Sequence, residues 1–208
     1  MIEDIYVDPH DQRNWSLLLN NNVISLGDTV VDVGGHHGVY THMFSSLLGA
    51  TGKVHVFEIF PPSFRYLEMR FGHCPNVFFH NAAVSDRDGF ESIHVAENNE
   101  MCGILEKNGQ KIGQIESVTL DTFLADEDRV SLIKIDVEGA ELNVLRGAKE
   151  TLKKTDSLLL ECHFDEDWPE IRNILLEENQ FECYNVDRRE VVDATSSRPY
   201  QCFCRRKK

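Results

Sequence analysis

The chain has 208 residues, of which 41% are apolar, and its formal net charge at pH 7 is −14. This length and apolar content predict a single domain, residues 1–208, with one substantial core. The negative charge argues against a general nucleic-acid-binding surface, because such a surface needs clustered lysine and arginine. The one basic cluster, residues 205–208, is interpreted as a solvated tail.

Targeting, membrane and zinc-site signals are missing from the sequence. The first residues lack a basic stretch followed by an apolar one, and no apolar run approaches the length of a membrane span. The six cysteines include no C-x-x-C pair, which disfavours a structural zinc site. We therefore expect a cytoplasmic protein without a membrane span, with its cysteines reduced.

Strand and helix patterns alternate along the chain, which favours a parallel sheet with helices on both faces. Residues 1–26 form a leading segment with a predicted helix over 11–23, and polar, glycine-containing residues 97–114 are typical of an irregular, mobile loop. The predicted strands are Thr29–Val33, Lys53–Phe57, Val77–His80, Phe90–Val95, Ser117–Leu120, Ser131–Ile135, Ser157–Leu160, Phe181–Val186 and Tyr200–Cys204. The predicted later helices are Pro61–Phe71, Gly139–Lys154 and Glu170–Glu178.

A glycine loop follows the first predicted strand. Residues Asp32 to Gly38 have the pattern Asp-x-Gly-x-x-x-Gly, in a strand–loop–helix arrangement that places a nucleotide-like ligand at the carboxyl end of a strand. The dinucleotide fingerprint G-x-G-x-x-G is absent from this loop. Because an acid repels phosphate and attracts an α-ammonium group, the loop predicts S-adenosylmethionine (SAM) rather than NAD as the ligand.

Polar residues also follow the next two predicted strands. Glu58 lies twenty residues beyond the glycine loop, where a carboxylate can accept hydrogen bonds from both hydroxyls of a ribose; the alternative is a solvated carboxylate. Asn81 follows the third strand and is placed to reach an adenine edge, with small Ala82 and Ala83 allowing close approach.

A pair of carboxylates follows the strand that ends at Ile135. Asp136 and Glu138 lie two residues apart before a predicted helix. Together they could hold an ammonium group, bind a divalent cation or supply a base with a raised pKa; alternatively, they only complement the dipole of the helix. His163 is the candidate general base, as a neutral imidazole, and Glu161 could orient it or help to hold a metal.

Four segments in this order resemble the FkbM family of SAM-dependent methyltransferases. They are 32–41 (DVGGHHGVYT), 81–89 (NAAVSDRDG), 118–121 (VTLD) and 132–141 (LIKIDVEGAE). The resemblance covers about residues 27–163 and implies a Rossmann-like class I methyltransferase fold, α/β, with a mostly parallel seven-stranded sheet. It also implies methyl transfer to an oxygen of a sugar or natural product. The chain departs from the family pattern at His36-His37 and at Ile59-Phe60, which stand between Glu58 and the prolines.

By this likeness Asp32, Gly34 and Gly38 would line the amino-acid part of SAM, Glu58 would bind its ribose, and Asp136 and Glu138 would lie at the methyl-transfer face. The predicted cofactor site comprises Asp32, Gly34, Gly35, Gly38, Tyr40, Thr41, Glu58, Ile59, Asn81, Ala82 and Asp136. The predicted catalytic residues are Asp136, Glu138 and His163, which are also the candidate ligands of a divalent metal.

The leading hypothesis is an O-methyltransferase for a small-molecule or glycan acceptor, recognised by the leading helix and residues 97–114. We expect its acidic rim to repel anionic acceptors. The alternative is a SAM-binding or partner-binding protein that keeps the fold without turnover. An NAD-dependent reductase is disfavoured, because the dinucleotide fingerprint and a Tyr-x-x-x-Lys pair are both absent. The sequence leaves open the acceptor, the need for a metal, which residue, if any, is the general base, and the oligomeric state.

Overall fold

The computed structural model describes residues 9–95, 102–103 and 110–207. The helices are α1 (Pro9–Asn20), α2 (Val39–Leu48), α3 (Pro61–Phe71), α4 (Leu120–Phe123), α5 (Glu141–Arg146), α6 (Lys149–Lys153) and α7 (Trp168–Asn173), which a π-helical turn at Ile174–Glu178 extends. The strands are β1 (Thr29–Val33), β2 (Lys53–Phe57), β3 (Val77–His80), β4 (Ala83–Val84), β5 (Gly89–Val95), β6 (Cys102–Gly103), β7 (Gln110–Val118), β8 (Val130–Ile135), β9 (Thr155–Glu161), β10 (Phe181–Asn185), β11 (Glu190–Val192) and β12 (Gln201–Arg206). Among the described residues, no helix combines the length and apolar character needed to cross a membrane.

The central sheet has eight strands in the order β11-β10-β12-β9-β8-β1-β2-β3. Neighbours from β9 to β3 are parallel. Strand β12 runs antiparallel between β9 and β10, and β11 pairs antiparallel with the other edge of β10. The α/β fold with a mostly parallel sheet is thus confirmed, and the predicted antiparallel pairing of the two closing strands is correct. The eighth strand is β11, whose three residues are too short to give a strand pattern of their own.

Alternate side chains of the inner strands point to opposite faces of this sheet, so each face carries its own core. Val31, Ile133 and Leu158 pack on the face covered by α4 to α7, whereas Val30 and Leu132 pack on the face covered by α1 to α3. Near-continuous apolar strands of this kind are typical of parallel sheets buried on both sides. Because these strands run parallel, the residues at their carboxyl ends lie together at one edge of the sheet.

A second sheet, in the order β4-β7-β5-β6, lies beside the first. Its strand β7 begins at Gln110 and pairs along its length with β5. The prediction of an irregular loop over 97–114 is therefore wrong for 110–114, where a long antiparallel partner imposes strand structure on a polar sequence. Cys102–Gly103 also pairs with β5, and the remaining residues of that segment lie outside the described ranges.

The predicted helix over Gly139–Lys154 consists of two helices, α5 and α6, because the helix is interrupted at Gly147. A Cβ on Gly147 would lie 2.0 Å from the carbonyl oxygen of Ser85, so only glycine allows this approach between the helical layer and the second sheet. The carboxylate of Asp121 then accepts hydrogen bonds from the backbone amides of Glu150 and Thr151 at 2.9 and 2.7 Å. This side chain caps α6 from another part of the chain. The leading helix, α1, ends at Asn20 rather than at residue 23.

The prediction that the cysteines are reduced is wrong at one pair. Cys183 of β10 and Cys204 of β12 face each other across the antiparallel ladder and form a disulfide. Cys74, Cys162 and Cys202 are free thiols. The pairing depends on strand register between segments 21 residues apart, which single-sequence patterns do not give.

We predict that Gly147→Ala destabilises the fold by about 1–3 kcal/mol, because the added methyl group must displace backbone rather than a flexible side chain. Gly113→Ala is the matched control, since a Cβ there meets no atom within 4 Å, and its unfolding free energy should stay near that of the wild type. Urea denaturation of both variants checks this. Equal stability of the two variants would contradict the role given to Gly147.

Candidate active site

A cavity of about 820 Å³ opens at the carboxyl ends of the parallel strands. Its volume is in the range of sites that enclose small organic ligands, and it lies where ligands bind in open α/β sheets. Its lining residues come from the glycine loop, the segment after β2 with α3, strand β4 and the turn after β8. They are Val33, Gly34, His36, His37, Phe57, Glu58, Ile59, Phe60, Pro62, Ser63, Tyr66, Ala82, Ala83, Val84, Asp136, Val137, Glu138 and Ala140.

Lys134 is the buried cation beneath this cavity. Its side chain is 6% exposed, and its Nζ lies 3.5 Å from Asp32 Oδ1 and 3.5 Å from Asp136 Oδ2. Nζ also donates a hydrogen bond of 2.7 Å to the carbonyl oxygen of Gly34. Burial lowers the pKa of Lys134, but the two carboxylates outweigh that effect and hold its pKa above the ordinary value. Lys134 therefore ties the glycine loop to the end of β8 as an ammonium ion.

Asp32 is buried behind this lysine rather than facing the cavity. It is 0% exposed, and its Oδ2 accepts a hydrogen bond of 2.8 Å from Thr41. Asp32 therefore offers no carboxylate oxygen to a ligand in the cavity, and the predicted direct contact with the α-ammonium group of SAM does not fit this placement. The carboxylate that faces the cavity at this end is Asp136.

The glycines of the loop allow close packing. Gly34 has φ +87°, and a Cβ there would lie 1.8 Å from the carbonyl oxygen of Asp136. A Cβ on Gly35 would meet Val56 at 2.5 Å, and one on Gly38 would meet Phe71 at 2.3 Å. Gly34 therefore shapes the cavity wall, whereas the other two glycines pack the loop against β2 and α3.

Glu58 is held rigidly at the end of β2. Its Oε2 accepts from the amide of His36 at 2.8 Å, and its Oε1 accepts from the amide of Phe60 at 2.7 Å. Asn81 does not reach the cavity; its Nδ2 donates to the carbonyl oxygen of Glu58 at 2.7 Å and fixes that turn. Since each carboxylate oxygen can accept more than one hydrogen bond, Glu58 keeps acceptor capacity toward the cavity.

The turn at Val137–Gly139 presents Glu138 to the cavity in a left-handed conformation, with φ +53° at Glu138 and +100° at Gly139. Buried Glu141 holds this turn, because its Oε1 accepts from the amide of Gly139 at 2.9 Å. Burial and the neighbouring charge of Asp136 raise the pKa of Glu138 above its ordinary value. A left-handed non-glycine residue stores backbone strain, as is common at functional sites.

His163 lies beside the cavity in a ring of carboxylates. Its Nδ1 lies 2.8 Å from Glu141 Oε1, and its Nε2 lies 3.4 Å from both Glu138 Oε2 and Glu161 Oε1. Burial lowers the pKa of His163, but hydrogen bonds to Glu141 and Glu161 and the surrounding negative charge raise it to about 10. The surrounding carboxylates thus favour the imidazolium form of His163 and disfavour the predicted neutral imidazole as a base.

Asp136, Glu161 and His163 each offer a ligand atom within 4.8 Å of the others. This set differs from the predicted metal ligands in containing Glu161 instead of Glu138. Carboxylate and imidazole donors suit several divalent ions. A metal bound by these residues stays a prediction.

The structure brings part of the predicted site together at one cavity and leaves part of it behind the wall. The predicted residues that line the cavity are Gly34, Glu58, Ile59, Ala82, Asp136 and Glu138. Those that support it from outside are Asp32, Gly35, Gly38, Tyr40, Thr41, Asn81 and His163. Tyr40, for example, accepts a hydrogen bond of 2.8 Å from Asn14 through its hydroxyl group.

Sequence reasoning missed Lys134, Glu141 and the lining residue Tyr66. A lysine inside the apolar run of β8 is a signal that could have identified the first, because an unpaired buried charge is costly. Glu141 stands in the first turn of α5, where an acid complements the helix dipole and gives no further signal. Tyr66 lies on α3 with no local pattern that distinguishes it from a surface residue.

Solved structures with a similar fold include methyltransferases. The chain superposes on an FkbM methyltransferase from Methylobacillus flagellatus with a TM-score of 0.57 and 17% identity, covering 87% of this chain and 44% of that one. It also superposes on a SAM-dependent O-methyltransferase from Thermotoga maritima with a TM-score of 0.55 and 16% identity, covering 100% of this chain and 69% of that one. At these identities the likeness defines the fold.

The methyltransferase FkbM domain matches residues 32–183, and the chain belongs to this family of methyltransferases. A curated relative, the hexuronic acid methyltransferase AglP of Haloferax volcanii, is 26% identical over 157 residues, which are 72% of this chain. The match spans 62% of the length of that relative. The family resemblance predicted from the four sequence segments is thus confirmed.

We predict that Lys134→Met lowers the unfolding free energy by about 3–5 kcal/mol at pH 7, because it leaves the buried carboxylate of Asp32 and the partly exposed one of Asp136 without their cation. The loss should shrink in acid, where protonation removes that uncompensated charge. Lys153→Met is the control, since its partner Glu150 is exposed and such surface pairs contribute about 0–1 kcal/mol. Urea denaturation at pH 7 and pH 5 measures both; a loss equal to that of the control would refute the role of Lys134.

Proposed function

We propose that the chain is a SAM-dependent O-methyltransferase that acts on a hydroxyl of a sugar or of a small natural-product-like molecule. The observation that carries this proposal is one cavity with a fixed carboxylate, Glu58, on one wall and the Asp136 and Glu138 carboxylates on another. Membership of a methyltransferase family limits the chemistry to methyl transfer. The site thus has room and polar groups for both a cofactor and an acceptor.

The residues present suit SAM. Glu58 would accept hydrogen bonds from the ribose hydroxyls, with its two oxygens held in place by backbone amides. The small apolar side chains of Ala82 and Ala83 offer a wall for adenine. Asp136, beside Gly34, is the carboxylate placed to attract the positively charged amino-acid end.

Glu138 is the proposed base for the acceptor hydroxyl. SAM, held by Glu58 and Asp136, would supply a sulfonium-activated methyl group for transfer to the acceptor oxygen. Glu138 would take the proton that the hydroxyl group loses. The pKa of Glu138 is raised toward neutral pH, and a base is most effective when its pKa lies near the operating pH. Alignment of donor and acceptor by the cavity would provide the larger part of the rate.

His163 is proposed as a positioning residue rather than as the base. As an imidazolium between Glu138, Glu141 and Glu161 it would hold the Glu138 carboxylate at the cavity rim. Glu141 acts on the same feature from beneath, through the amide of Gly139. Both contacts would resist rotation of the strained turn.

The sugar-modifying relative supports a sugar acceptor. That relative methylates a hexuronic acid, which is an anion. In this chain, Glu138 and Glu161 beside the cavity give that region a surplus of negative charge. Because a second anion would be repelled there, we propose a neutral sugar hydroxyl as the acceptor. The non-catalytic alternative keeps SAM binding and predicts no methyl transfer to any hydroxylated acceptor.

We predict that Glu58→Gln weakens SAM binding by more than tenfold, because a charged acceptor of two ribose hydroxyls becomes a neutral amide with one acceptor oxygen. Glu68→Gln, an exposed position on neighbouring α3, should bind SAM as the wild type does. Isothermal titration calorimetry measures both affinities. Unchanged affinity in the Glu58 variant would remove the ribose assignment, and no binding of SAM to the wild type would refute the proposed function.

We predict that Glu138→Gln lowers kcat about 10²- to 10⁴-fold while SAM affinity stays within a few-fold of the wild type. The wild-type kcat should fall as pH decreases through the raised pKa of Glu138, since only the carboxylate accepts the proton. Formation of S-adenosylhomocysteine with a panel of neutral glycosides measures the rate. Glu166→Gln, at an exposed site, is the control. A Glu138 variant with full kcat would show that Glu138 is not the base.

A further inference from the structure

Two exposed aromatic side chains lie close to Gly139 and His163, and neither of them lines the cavity. Phe164 is 42% exposed and Tyr200 is 45% exposed, although both are large and partly apolar. Phe164 follows His163 directly along the chain, and the rings of His163 and Tyr200 are 6.3 Å apart between centroids, edge to face. An exposed apolar surface next to a polar site is a common mark of a binding site.

Phe164 lies directly on the turn that presents Glu138. A Cβ placed on Gly139 would be 2.2 Å from Cε2 of Phe164 and 2.7 Å from its Cζ. The absence of a side chain at Gly139 therefore lets the ring approach the backbone next to the proposed base. The aromatic surface and the Glu138 carboxylate are adjacent parts of one rim.

The segment that carries these rings is fixed on both sides. The guanidinium of Arg198 donates to the carbonyl oxygen of Cys162 and to Asp165 Oδ1, the latter at 2.6 Å. The amide of Cys162 donates to the carbonyl oxygen of Tyr200 at 2.8 Å. A surface held in this way loses little conformational entropy when it binds a ligand.

We propose that Phe164 and Tyr200 form an acceptor subsite on which the apolar face of a neutral pyranose ring stacks. The proposal rests on the proposed sugar methyl transfer and names the subsite for the acceptor. The electron-rich face of an aromatic ring attracts the slightly positive C–H groups of a sugar. The hydroxyls of the same sugar would donate to Glu138 and to Glu161, which also hydrogen-bonds to Tyr200.

This pairing of flat apolar surface with carboxylate acceptors matches a sugar better than a lipid chain or an anionic molecule. A sugar has one apolar face and a rim of hydroxyl donors, so it can use both parts of the rim. An alkyl chain would leave the carboxylates without donors, and an anion would be repelled by them. A planar phenol could stack as well but offers fewer donors.

The test measures binding of methyl α-D-glucopyranoside by saturation-transfer NMR without methyl donor, so that it does not depend on turnover. Phe164→Leu keeps an apolar side chain over Gly139 and removes the flat face; it should weaken glucoside binding about tenfold. Tyr200→Leu should have a similar effect. Phe78→Leu is the matched control, because Phe78 is 41% exposed on the distant edge strand, and its affinity should equal that of the wild type.

Wild-type affinity in Phe164→Leu, no glucoside binding by the wild type, or preferential binding of resorcinol would each overturn the sugar subsite. SAM affinity, measured by calorimetry on the same variants, should not change. Transfer to glycosides with an unchanged KM in Phe164→Leu would refute the subsite and leave the proposed function standing. If the variants bind the glucoside more weakly but the wild type transfers no methyl group, the subsite stands and the proposed function is refuted.

Discussion

The cavity end of this molecule depends on one buried ammonium group. Lys134 lies on the central strand β8 and reaches the carbonyl oxygen of Gly34 as well as the carboxylates of Asp32 and Asp136. The parallel pairing of β1 with β8 places these groups side by side, and the lysine neutralises the charges that this pairing concentrates. Without it, two carboxylates in a desolvated region would repel each other and separate the loop from the strand. The cavity floor is therefore an electrostatic consequence of the sheet.

A second charged group organises the rim. His163 bridges Glu138, Glu141 and Glu161, so floor and rim each consist of acids arranged around one cation. The two arrangements differ in exposure, since the Lys134 side chain is 6% exposed and that of His163 is 17% exposed. The inner group would be fixed, whereas the outer one remains near enough to water to respond to a ligand. This division fits a site in which a cofactor lies deep and an acceptor approaches from outside.

Much of the fold could be predicted because apolar runs mark buried parallel strands and polar residues mark their ends. The carboxylates Glu58, Asp136 and Glu138 were found in this way and share the cavity. What sequence reasoning missed depends on contacts between distant segments. Lys134 and Asp32 are about a hundred residues apart, so their pairing is not visible in a local pattern. The protonation state of a histidine likewise depends on acids that three-dimensional packing brings near it.

Glu138 adopts a left-handed backbone conformation that glycine would tolerate more easily. Strain of this kind costs on the order of 1–3 kcal/mol, and a glycine there would release it while removing the carboxylate. Selection for thermal stability alone would thus favour loss of this side chain, whereas the proposed methyl transfer would favour keeping it. A library of variants at position 138, sorted once for stability and once for methyl transfer, would show which residues each requirement favours.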